Sequence, residues 1–157
     1  MDFGRRYKTL YSNDFYGPGL KERRKKVGKT QQDVADEVGI PQSRVSRYEN
    51  GMIPGADIAV DLYKATHDEY HDEQIEAYEL YGEGLRMHRE EALMSQLDLE
   101  HMSGVNRAQV ARYEAGTIPN IRAAVMMYNQ CESVIRMNNK YGVRKPKDCW
   151  AKRFKDD

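Results

Sequence analysis

Apolar positions recur at helical rather than strand spacing along most of the chain, and they come in short runs cut by glycine, proline and asparagine. Leu20, Arg24 and Val27 share one face of a helix that follows Gly17-Pro18-Gly19. A second short helix opens at Thr30, carries Val34, Ala35 and Val38, and breaks at Gly39. Thr30, with Asp33 three residues on, has the pattern of a reciprocal cap. A third begins about Gln42, buries Val45 and Tyr48, and stops at Asn50-Gly51, where glycine can take the left-handed conformation that ends a helix. A fourth follows Pro54, with Ile58, Leu62 and Ala65 at helical spacing. Two short helices about a Gly-containing turn predict a helix-turn-helix, and Gln42, Ser43, Arg44, Ser46 and Arg47 remain on its outer face.

The pattern then repeats. At a constant offset of 65, Leu20, Arg24, Gln31, Asp33, Gly39, Val45, Arg47, Tyr48, Glu49, Gly51, Ile53 and Pro54 recur from Leu85 to Pro119 without a gap, and Tyr16-Gly17 recurs as Tyr81-Gly82. The expected fold is all-α: two tandem small helical bundles, each with a helix-turn-helix. The expected layout is an N-terminal arm (1–16), a first module (17–67), an acidic helical linker (68–81), a diverged second module (82–135) and a basic C-terminal tail (136–157). In the second copy Ala35 becomes Glu100 and Val38 becomes Ser103, so a rotated or shortened helix is expected there.

The residues Thr30-Gln31-Gln32-Asp33-Val34-Ala35, Gly39-Ile40, Val45-Ser46-Arg47-Tyr48-Glu49-Asn50-Gly51 and Pro54 resemble the lambda-repressor/Cro-like (Xre) helix-turn-helix family. The resemblance implies a sequence-specific DNA-binding transcriptional regulator of bacterial or phage type, with double-stranded DNA as its partner. It implies that Gln31 meets a phosphate, that Gln42, Ser43 and Arg47 face bases, and that Arg44 and Asn50 lie near the backbone, with Ser46 on the same face. In the second copy Gln96, Arg107, Gln109 and Arg112 hold comparable positions. It also implies that Arg24 pairs with Glu49; Arg89 and Glu114 recur at the same offset.

Charge changes the picture only once the chain is divided. The total is zero, but 1–67 carries twelve basic against nine acidic residues, 68–135 five against thirteen, and 136–157 eight against three. The acidic middle keeps open an alternative: the scaffold serves protein–protein interaction, as an antitoxin-like factor or a phage inhibitor of a host complex, through that middle or the second module. The bases Lys21, Arg23, Lys25, Lys26 and Lys29 form a solvated face near any phosphate; in the second copy they become Arg86, His88, Glu90, Glu91 and Met94, and the lost positive charge points to reading mainly by the first. The aromatic and basic arm (Phe3, Arg5, Arg6, Tyr7) either follows a groove or packs by its tyrosines on the first module. The tail, with Pro146, Trp150 and Phe154, either binds nucleic acid or covers an apolar edge.

No catalytic motif stands out, so no enzyme and no cofactor are expected. His67 and His71 share a helical face but lack a third ligand, so no metal site is expected. No apolar run approaches a membrane span, the first residues lack the apolar core of a signal peptide, and Cys131 and Cys149 suit a reducing cytoplasm. Pairing of a second chain is left open.

Overall fold

The computed structural model describes residues 9–68 and 75–142. Among these the chain forms eight α-helices: α1 (Gly17–Lys26), α2 (Gln31–Val38), α3 (Gln42–Glu49), α4 (Ala56–Ala65), α5 (Gly82–Glu91), α6 (Gln96–Ser103), α7 (Arg107–Glu114) and α8 (Ile121–Lys140). A 3-10 turn precedes each set of four, at Ser12–Asp14 and Ala77–Glu79. Every helix start, and both turns, fall 65 residues apart in the two copies.

Local chemistry explains the boundaries. Thr30 Oγ1 accepts from the Asp33 N–H (3.1 Å) while Asp33 Oδ2 accepts from the Thr30 N–H (2.8 Å), closing the start of α2. Ser95 and Asp98 do the same for α6 (3.0 and 2.8 Å), and Asn106 caps α7 by accepting from the Ala108 N–H (2.8 Å). Gly39 ends α2 with φ at +79°. The turns before α1 and α5 demand glycine for a different reason: a Cβ on Gly19 would lie 1.9 Å from the Asn13 carbonyl oxygen, and one on Gly84 1.6 Å from that of Tyr78.

Each bundle has its own small core. Leu20, Val34, Ala35, Val45, Tyr48, Leu62 and Ala65 fill the first; Leu85, Leu99, Val105, Val110, Met127, Cys131 and Ile135 are in the second. A third core lies between them. It is made of Leu10 and Ile75, Phe15 and Leu80, Ala56 and Ile121, Ala59 and Ala124, Val60 and Val125, and Tyr63 and Tyr128. Those are six pairs at the repeat offset, so each copy contributes the same positions and the interface has the self-complementary form of a two-fold dimer. At its edge Gly55 and Asn120 form an antiparallel bridge, with Ala56 N–H donating to Pro119 O (2.8 Å) and Ile121 N–H to Pro54 O (2.9 Å).

The segments ahead of the bundles cross over this interface. Leu10 N–H donates to Asn129 Oδ1 and Asn129 Nδ2 donates to Leu10 O, both at 2.8 Å, tying the first copy's lead-in to α8. In the other direction Lys64 of α4 holds Glu76 at 2.7 Å. The described part of the arm is therefore packed, by Leu10 and Phe15 in the central core with Tyr16 against its edge, whereas Tyr11 is exposed. Residues 1–8 lie outside the described residues.

Three sequence expectations need correction. The acidic stretch is not a helix where it is described: 75–76 is non-helical and only the Ala77–Glu79 turn follows, because Ile75 and Leu80 must both reach the central core. The basic tail does not start at 136, since α8 continues to Lys140, held by Ile135 in the core and by Asn138 Nδ2 donating to Ala92 O (3.1 Å). Finally, α6 is neither shortened nor displaced in register relative to α2. Glu100 stays half-exposed, and Ser103 is buried with its hydroxyl donating to Leu99 O (2.6 Å) and accepting from Val105 N–H (3.1 Å).

Candidate nucleic-acid interface

The outer face of α3 is set by what its inner face buries. Val45, Tyr48 and Glu49 point inward, and Gln42, Ser43, Arg44 and Arg47 are exposed, with Ser46 half-buried and Asn50 exposed just past the helix end. Arg24 fixes the helix from behind. Its Nη2 lies 2.9 Å and its Nε 3.1 Å from the two Glu49 oxygens, and its Nη1 donates to Lys29 O at 2.9 Å. One guanidinium thus joins α1, α3 and the α1–α2 connection, with 8% exposure at Arg24 and 5% at Glu49. Arg89 repeats the arrangement with Glu114 (2.7 Å) and Met94 O (2.8 Å). Both expected ion pairs are present.

At the front, Gln42 Nε2 donates to Gln31 Oε1 at 3.1 Å, so the first residues of α2 and α3 are linked by their side chains. The second copy differs. Arg107 replaces Gln42, and Gln96 donates to Glu114 Oε2 (3.2 Å) instead. Arg107, Gln109 and Arg112 are exposed on α7, while Gln96 is half-buried. A helix-turn-helix presenting carboxamides, hydroxyls and guanidinium groups on one exposed helix is equipped to meet base edges and phosphates.

A family model described as helix-turn-helix matches residues 20–66 and again 85–127, together more than half of the chain. The chain belongs to the lambda-repressor-like helix-turn-helix family, as a tandem duplication. No curated protein and no solved structure matches it. In helix-turn-helix terms α3 and α7 are the recognition helices, α2 and α6 their supports.

The bases of α1 do not all belong to this face. Arg23 donates to Tyr63 O (3.3 Å) and Thr66 O (3.4 Å) and lies over the Tyr63 ring, 3.8 Å from its centroid. Lys29 donates to Ala65 O (2.8 Å) and pairs with Glu37, and Lys26 pairs with Asp68 at 3.3 Å. Arg23 and Lys29 thus satisfy carbonyls at the end of α4. The counterparts His88 and Met94 need no such role, because α8 runs on past the equivalent point. At these two positions the loss of charge in the second copy accompanies the longer helix. Lys21 and Lys25 remain exposed.

A buried pair escaped the sequence reading: His88 Nε2 meets Glu132 Oε1 between α5 and α8, with the imidazole tilted against Tyr128 at 4.8 Å. Their positions on the inward faces of two helices are the only signal for it. Beside them Cys131 is fully buried, and burial pushes its thiol up to about 12. Among the described residues no cluster could hold a metal ion, and His71 lies outside them. No described helix is long and apolar enough to cross a membrane.

Proposed function

We propose that this chain is a sequence-specific DNA-binding transcriptional regulator of bacterial or phage type, acting as a repressor by occupying its site. One chain spans two half-sites and reads DNA mainly through α3. The observation that carries the reading is the pairing of two recognition helices across a self-complementary core, the arrangement that two-fold dimers use on half-sites about 34–36 Å apart. Gln31, Gln42, Ser43, Arg44, Ser46, Arg47 and Asn50 form the leading surface; Gln96, Arg107, Gln109 and Arg112 form the second. The first leads because it offers three more polar groups: Ser43, Ser46 and Asn50 face Ala108, Ala111 and Ala115 in the other copy.

The test is selection of bound DNA from a random pool, followed by footprinting and titration at two salt concentrations. The expected result is one chain protecting two half-sites, with log affinity falling against log salt by about 0.9 per phosphate neutralised. Absence of any enriched sequence would overturn the reading and leave the scaffold to protein–protein interaction through the acidic middle, 68–135, or the second module.

A further inference from the structure

The two recognition helices hold equivalent places on either side of the central core, yet their chemistry is exchanged. At the first helical position α3 has Gln42 and α7 has Arg107; at the third α3 has Arg44 and α7 has Gln109. Arg47 and Arg112 are common to both. The first position decides most, because side chains at the N-terminal end of a recognition helix contact base edges. Gln42 is held there by Gln31, which takes one of its N–H groups and leaves the other N–H and the oxygen available. Arg107 is exposed and forms no hydrogen bond or ion pair with the described residues, and Gln96, the former partner at that position, is drawn onto Glu114.

A carboxamide fits adenine N6 and N7, and a guanidinium fits guanine O6 and N7. We infer that the chain reads an imperfect palindrome: adenine under Gln42 in one half-site and guanine under Arg107 at the equivalent position of the other. This rests on the DNA-binding reading above. A homodimer presents identical side chains to both halves and cannot make this distinction; a duplicated chain can. The alanines Ala108 and Ala111, in place of Ser43 and Ser46, add methyl groups suited to thymine in the second half. The chain would therefore sit on its site in one direction only.

The experiment uses the full chain in three forms, wild type, Arg107→Gln and Gln42→Arg, each subjected to selection from a random pool. Both positions are exposed, and equal melting temperatures would establish that the variants are folded. Wild type should select two half-sites that differ at one equivalent base pair. Arg107→Gln should move the second half to adenine, make the halves alike, and bind the wild-type site roughly tenfold more weakly. Gln42→Arg should move the first half to guanine. Identical halves for wild type, or an affinity loss in Arg107→Gln equal on all sequences, would overturn the inference while leaving the regulator reading intact; recovery of one half only would overturn it together with the two-half-site reading. A pool with no enriched sequence would remove both.

Discussion

Gly55 and Asn120 face each other across an antiparallel bridge and are the same position in the two copies of the repeat. A residue meeting its own counterpart marks the pseudo-two-fold axis. The two bundles therefore share one apolar core, and they should unfold together. Phe15, 1% exposed, sits in that core against Tyr63, with ring centroids 5.0 Å apart. Phe15→Ala should cost about 3–5 kcal/mol and lower a single calorimetric transition. Two separate transitions, with only one moved, would show that the bundles are independent.

Arg24→Ala and Glu49→Ala should each cost about 3–5 kcal/mol, because either leaves a buried charge alone. The same holds for Arg89 and Glu114. Urea unfolding of the two single variants and the double variant checks this: the double should cost clearly less than the summed singles. Strict additivity would mean that the charges do not interact.

Gly19→Ala and Gly84→Ala should each destabilise by about 1–3 kcal/mol, since the added Cβ meets a backbone carbonyl that cannot move alone. Gly28→Ala is the comparison. Its Cβ would meet nothing within 4 Å, so only its φ of +73° opposes the change, at about 1 kcal/mol. Shifts in the urea midpoint should keep that order.

Lost hydration of the Asp61 carboxyl holds its pKa above the ordinary value, with Asp57 adding to the shift and Lys64 opposing it. A folded pKa above the unfolded one means that the native state binds the proton better. Stability from this group is present at low pH and lost as pH rises through the folded value. Asp61→Asn should therefore raise the melting temperature near pH 7, and the gain should vanish below about pH 4. Asp33 has the opposite sign: its hydrogen bonds with the Thr30 backbone and side chain lower its pKa, so its contribution is lost on acidification.

On DNA, Arg47→Ala should cost roughly 1–3 kcal/mol and relax base preference. Gln31→Ala should relax preference too, at the base pair under Gln42, because Gln31 orients that side chain. Competition assays with single-base variants of the selected site distinguish this from a uniform loss, which would make Gln31 a phosphate contact only.

The ends of α2 and α3, the cap at Thr30, and both ion pairs are legible because each depends on residues within one repeat. The central core is not. Helix α4 carries two apolar faces, Leu62 and Ala65 toward its own bundle and Ala56, Ala59, Val60 and Tyr63 toward the other copy, and a single helical stripe shows only the first. The roles of Arg23 and Lys29 are hidden for a related reason: which carbonyls they satisfy depends on where α4 ends in space. Glu100 is disruptive only if it is buried as Ala35 is, whereas its longer side chain reaches water.

Carrying both halves of the central core on one chain also removes mass action from their pairing. A dimer of separate chains falls apart on dilution, so its melting temperature and its readiness to act both depend on copy number. Here the partner is tethered by peptide bonds and present at a fixed effective concentration. Dilution therefore leaves the two bundles together.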